Sequence, residues 1–155
     1  MACKRCELAC AVEHSESKDL YLATSEKNRP QSRVEVGMRG DMNVPLQCRH
    51  CENAQCVSIC PTGAMRRLGQ DGPVVIEREL CVGCSFCVVV CHFGVPRLNR
   101  EGKALIKCDL CIERLERDEL PACVVACPTR ALTFVEFEKP ADVLSFVDRF
   151  APKAV

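Results

Sequence analysis

An α+β fold of two small cysteine-rich units, built from short helices and β-hairpins, is predicted by three observations. The 155-residue chain carries fifteen cysteines, most of them with two to four residues between neighbours. They fall into four groups, and the second and third groups are each followed by a hairpin pattern. The order motif, hairpin, motif, hairpin is an internal repeat, which points to duplication of one supersecondary unit.

The chain is organised around residues 48–91. The second group, Cys48, Cys51, Cys56 and Cys60, reads C-x2-C-x4-C-x3-C and is followed by Pro61. The third, Cys81, Cys84, Cys87 and Cys91, reads C-x2-C-x2-C-x3-C. The latter is the spacing that holds [4Fe–4S] clusters. Three closely spaced thiolates wrap three corners of one cubane, while the fourth leaves on a departing turn and serves another cluster. Two such groups therefore exchange their last cysteines. Thiolate is the ligand because cluster iron needs a soft, deprotonated sulfur.

The remaining groups flank this centre. At the start, Cys3-x2-Cys6-x3-Cys10 forms the last three-quarters of the same motif. Its first cysteine would fall immediately before Met1, so the functional protein is expected to start upstream. Fifteen cysteines plus that one would make four sets of four. Residues 13–44 are polar and read as a solvated surface insertion with one strand at 33–37. Residues 54–59 predict a helical turn ending at Cys60-Pro61. Strands at 64–68 and 74–77 are joined through Gly69-Gln70-Asp71-Gly72, and strands at 96–99 and 103–107 through Arg100-Glu101-Gly102. The fourth group is Cys108, Cys111, Cys123 and Cys127, with eleven residues between its second and third members. That spacer predicts a short helix or loop, residues 129–137 a strand, and residues 140–150 a lid helix opened by Pro140. Valines 88, 89, 90, 124 and 125 are expected to wrap the clusters in an apolar shell that keeps their potentials low. His92, standing where Pro follows Cys60 and Cys127, is a candidate hydrogen-bond donor to cluster sulfur, as are His50 and His14.

Other classes fit less well. A disulfide scaffold leaves one thiol over, and neighbours this close bridge each other poorly. Zinc accounts for Cys108, Cys111, Cys123 and Cys127 taken alone, but not for the third closely placed cysteine of the central motifs. Acidic and basic side chains balance at 21 each, which argues against nucleic acid. No run approaches a membrane span. No phosphate loop or catalytic triad is visible, so an enzyme active site is not expected.

The four groups, with C-x2-C-x4-C-x3-C-P second and the eleven-residue gap in the fourth, resemble the four-cluster ferredoxin-type electron-transfer subunits. These accompany molybdopterin oxidoreductases, formate dehydrogenases and hydrogenases. Residues 1–15 resemble more closely the ferredoxin-like iron–sulfur subunit of the carbon monoxide dehydrogenase system. The resemblance implies two ferredoxin-like units with pseudo-twofold symmetry. The inner unit would span residues 45–107; the outer would combine 1–44 with 108–155, including the polar insertion and C-terminal helix. It implies up to four [4Fe–4S] clusters, one of them incomplete or absent without the missing cysteine. Cys48, Cys51 and Cys56 would be completed by Cys91, and Cys81, Cys84 and Cys87 by Cys60. Cys108, Cys111 and Cys123 would be completed by Cys10; Cys3 and Cys6 would share the last cluster with Cys127. The implied function is relay of single electrons from carbon monoxide dehydrogenase to an acceptor such as a hydrogenase. The implied place is the cytoplasm, or peripherally the inner face of a membrane through a partner. The alternatives are an electron-transfer subunit of a molybdopterin oxidoreductase, formate dehydrogenase or hydrogenase, and, outside electron transfer, a structural metal-binding module.

Overall fold

A computed structural model describes residues 2–136. Six short helices and three two-stranded antiparallel sheets alternate along it. Helix α1, Arg5–Glu13, is followed by α2, Leu20–Ser25, then by strands β1, Glu35–Arg39, and β2, Met42–Leu46. The central repeat follows: α3, Gln55–Ser58; β3, Met65–Arg67; β4, Val74–Ile76; α4, Phe86–Val89; β5, Arg97–Leu98; and β6, Leu105–Ile106. Helices α5, Ile112–Leu115, and α6, Ala122–Val125, complete the described elements.

The two predicted central hairpins form. Met65 pairs with Ile76 in the first and Arg97 with Ile106 in the second. Alternation places Met65 and Val74 in the core while Arg66 points out to Glu77, 2.8 Å away. Within the connecting turn, a Cβ on Gly72 would lie 1.8 Å from the Leu68 carbonyl oxygen. Only glycine lets the chain return this closely.

Two apolar centres form, and cysteines belong to both. Met65, Val74, Cys87 and Leu105 make the first, with Cys56, Cys60 and Cys81 packed against them. Cys6, Cys10 and Val34 make the second, with Cys123 and Leu132 against them. Helix α3 lies on α4 and β3, and α1 lies on α6. The two ends of the described chain thus meet beside the central repeat.

Three expectations are corrected. Residues 13–44 hold more than the single expected strand. Asp19 caps α2 through the amides of Tyr21 and Leu22, and β1 pairs with β2 along its whole length. Pro45, which argues against a strand in sequence, sits opposite Val36 in a sheet that has only edge strands, where a missing donor can face outward. Residues 129–136 form no strand; among the described residues they find no neighbouring strand to pair with. The valine shell is incomplete: Val89 is 82% and Val125 63% exposed, because each points off the free face of a one-turn helix. The predicted helix at 140–150 lies outside the described residues.

Gly72→Ala is expected to destabilise the first central hairpin by about 2 kcal/mol. The urea midpoint of anaerobically purified protein measures this; an unchanged midpoint would mean that the Leu68 carbonyl moves aside freely.

Candidate iron–sulfur centre

The segments between the first and second cysteines of a group are turns, and the turning residue is the same in each. The position before the second cysteine is left-handed in all three described examples: His50 at φ 48°, Gly83 at 70° and Leu110 at 63°. This reversal brings backbone amides back onto sulfur. The amide of His50 donates to Cys48 Sγ at 3.4 Å, and that of Leu110 to Cys108 Sγ at 3.5 Å. A left-handed residue costs a non-glycine side chain about 1–2 kcal/mol, so His50 and Leu110 store strain that Gly83 avoids.

The third and fourth cysteines of each group are four residues apart, on one helical turn. Cys6 and Cys10 lie in α1; Cys56, Cys87 and Cys123 lie in α3, α4 and α6, with Cys60, Cys91 and Cys127 just beyond. After the last cysteine the chain folds back. Gly63, Gly94 and Arg130 are left-handed, and each donates its amide to the carbonyl of the cysteine three residues before. The Cys-Pro-Thr endings add a hydroxyl: Thr62 Oγ1 lies 3.8 Å from Cys60 Sγ, and Thr129 Oγ1 3.6 Å from Cys127 Sγ. Neither threonine is among the residues that spacing alone points to, although the repeated Cys-Pro-Thr is a visible signal.

The folded chain brings distant cysteines together. Cys48, Cys51 and Cys56 line one cavity with Cys91, among Val74, Val90, Phe93, Val95 and Pro96. Burial pushes the Cys56 thiol up, and the charges of Cys48 and Cys91 push it further. Burial lifts Cys87 to about 11, with Cys56, Cys84 and Cys60 adding repulsion. Cys10 stands beside three members of the fourth group. Burial, then the charge of Cys10, raises Cys123 to about 11; Cys108 and Cys111 reach about 12 by burial, with Cys10 again among the repelling charges. Cys6 is raised by burial, with Cys127 and Glu7 as repelling neighbours. All fifteen cysteines are unbridged; Cys3, Cys51 and Cys84 are exposed.

Gathered thiols of this kind resist ionising on their own, because burial and mutual repulsion both oppose the charge. They become thiolates only with a cation among them. The donor set is sulfur, grouped by fours in the best-defined case, with apolar walls. It fits a [4Fe–4S] cluster better than a hard oxygen-seeking ion.

Comparison with known proteins agrees with the donor set. Residues 41–137 match the family model of the 4Fe-4S dicluster domain. This protein is a member of that family. It is 40% identical over 151 residues to an iron–sulfur protein of Rhodospirillum rubrum, covering 89% of this chain and 78% of the relative. It is 36% identical over 154 residues to the electron transport protein HydN of Escherichia coli strain K12, covering 90% and 84%. It is 34% identical over 146 residues to the B subunit of anaerobic dimethyl sulfoxide reductase from the same strain, covering 85% and 66%. The chain is thus an iron–sulfur electron-transfer protein of the [4Fe–4S] type. Among its described residues no helix is long and apolar enough to cross a membrane.

The insertion reaches the fourth group through charges the sequence did not single out. Asp109, inside Cys108-Asp109-Leu110-Cys111, accepts from His14 Nε2 at 3.1 Å, from the Arg33 guanidinium, and from the Cys111 amide at 3.1 Å. His14 Nδ1 donates to the Cys10 carbonyl at 2.7 Å and lies 3.7 Å from Cys10 Sγ, to which the Arg33 amide also donates at 3.2 Å. Burial opposes a charge on His14, but its bonds to Asp109 and Cys10 outweigh it and lift the pKa to about 9. Asp109, despite burial, is held well below the usual carboxylate range by His14 and Arg33. Burial also works against the Cys10 thiolate, yet His14 and the Arg33 amide bring its pKa below the ordinary thiol value. Of the predicted histidine donors, His14 reaches a cysteine sulfur. His50 Nδ1 instead accepts from the Val74 amide at 3.0 Å, while His92 lies exposed at the rim of the cavity.

Asp109→Asn removes the charge that holds His14 and Arg33. It should cost about 2 kcal/mol and lower the anaerobic thermal midpoint by roughly 5 °C. An unshifted midpoint would show that the network carries no net stability.

Proposed function

We propose that this chain is the electron-relay subunit of an anaerobic oxidoreductase, passing single electrons through [4Fe–4S] clusters held by its four cysteine groups. The observation that carries the reading is the shared cavity. Cys91, from the third group, enters the site of Cys48, Cys51 and Cys56. Such an exchange is what a two-cluster unit requires. When bound, the clusters would supply the one-electron sites.

The protein's residues do the rest. The C-x2-C turns aim amides at sulfur, and the apolar walls limit water. In this reading Cys60 completes the site of Cys81, Cys84 and Cys87. Cys10 completes that of Cys108, Cys111 and Cys123, and Cys127 joins Cys3 and Cys6. Cys10 beside Cys108, Cys111 and Cys123, and Cys127 beside Cys6, support that assignment for the flanking sites, while Cys87 has neighbours from both inner groups. The two apolar centres support an inner unit, 45–107, and an outer unit made of both flanks, related by pseudo-twofold symmetry.

The partner is a catalytic subunit that carries the substrate chemistry. The names of the relatives, an electron transport protein and a dimethyl sulfoxide reductase subunit, favour a molybdopterin-type oxidoreductase, formate dehydrogenase or hydrogenase as that partner. Carbon monoxide dehydrogenase has only the resemblance of residues 1–15 behind it. A place in the cytoplasm, or against a membrane through the partner, follows from the same reading.

Anaerobically purified protein should contain iron and labile sulfide in about equal amounts and give reduced-state EPR signals of interacting [4Fe–4S] clusters. Cys60→Ser should perturb the same signal as Cys84→Ser, not the one perturbed by Cys51→Ser. Zinc without labile sulfide would overturn the electron-relay reading, and a Cys60→Ser change that follows Cys51→Ser would overturn the ligand exchange.

A further inference from the structure

Lys107 is only 4% exposed. It precedes Cys108 and lines the cavity of Cys48, Cys51, Cys56 and Cys91. Its Nζ donates to the carbonyl of Cys108 at 2.8 Å and to that of Val74, the most deeply buried large side chain of the first apolar centre. Among the ion pairs of the described residues, none includes Lys107.

A buried ammonium without a carboxylate is costly. The two carbonyl oxygens take two of its three donors and supply no compensating charge. One of the hollows it lines is the four-cysteine cavity, where Cys56 feels its charge and thiolates would carry the missing negative charge. The position is also shared. One contact is to the backbone of a cysteine in the fourth group, while the cavity belongs to the second and third.

We propose that Lys107 is a fixed positive charge between the inner and outer sites, which raises the reduction potential of the cavity's cluster and, to a smaller extent, of the one held with Cys108. This rests on the electron-relay reading above. Reduction there adds one electron, supplied by the redox partner or in vitro by dithionite. No bond breaks and no proton moves; the ammonium already in place favours the more negative, reduced state. Lys107 is a positioning residue, since it acts on the site through its charge and not as a ligand.

The test is an anaerobic redox titration followed by EPR on wild-type protein, Lys107→Met, Lys107→Gln and Lys107→Arg. The cavity's wave is identified as the one that Cys51→Ser shifts. Lys107→Met keeps the bulk and loses both donors and charge; Lys107→Gln keeps a donor and loses the charge. Both should disfavour one-electron reduction of the cavity's cluster by about tenfold, a fall of about 59 mV, while Lys107→Arg stays near wild type. Should Lys107→Met not retain iron, Lys107→Gln carries the measurement. Iron-loaded variants with an unmoved wave would overturn the proposal. So would a wild-type potential in Lys107→Gln beside a lowered one in Lys107→Met, because hydrogen bonding alone would then be the cause. Wild-type protein without iron and labile sulfide would instead overturn the functional reading, and this inference with it.

Discussion

The cost of charging buried, crowded thiols is the constraint on which this structure depends. Cysteines from separate groups converge on apolar sites, and burial there drives Cys87, Cys108, Cys111 and Cys123 to pKa values of about 11 to 12. Such sites are poor hosts for charge until a cation arrives. Iron therefore contributes to folding as well as to electron transfer, in keeping with the thin organic core of a chain with no tryptophan and one tyrosine. The backbone is arranged around the same demand. Left-handed residues in the C-x2-C turns of the second and fourth groups deliver amides to sulfur, and the fold-back after Cys60, Cys91 and Cys127 fixes each exit.

Much of the centre was legible because ligand spacing is a local property. A step of four residues from Cys56 to Cys60 means one helical turn wherever it occurs, and the glycine-rich link at 69–72 specifies a hairpin by itself. The flanks were harder to read. Pro45 hid the second strand of the insertion's hairpin, and the apparent alternation at 129–137 did not reveal that, among the described residues, no partner strand was at hand. Asp109, Arg33 and Lys107 were invisible for a different reason. Each acts through a contact made only in the folded chain: Asp109 with residues 14 and 33, Lys107 with Val74.

The surroundings of Cys10 and of the inner cavity treat buried charge differently. Around Cys10 the charged groups are paired, with His14 and Arg33 meeting at Asp109. Beside the inner cavity a single lysine is held by carbonyl oxygens. Paired charges anchor a segment with little net field. An isolated charge leaves its field acting on whatever occupies the neighbouring space.

The packing of α1 on α6 has a consequence for the order of synthesis. Residues 48–91 emerge together and can find one another at once. Residues 5–13 leave the ribosome early, yet their packing partner, residues 122–125, follows only near the end. Until then Cys6 and Cys10, which end up buried, remain open to oxidation and to stray metal ions. The packing of α1 on α6 is accordingly among the last contacts able to form.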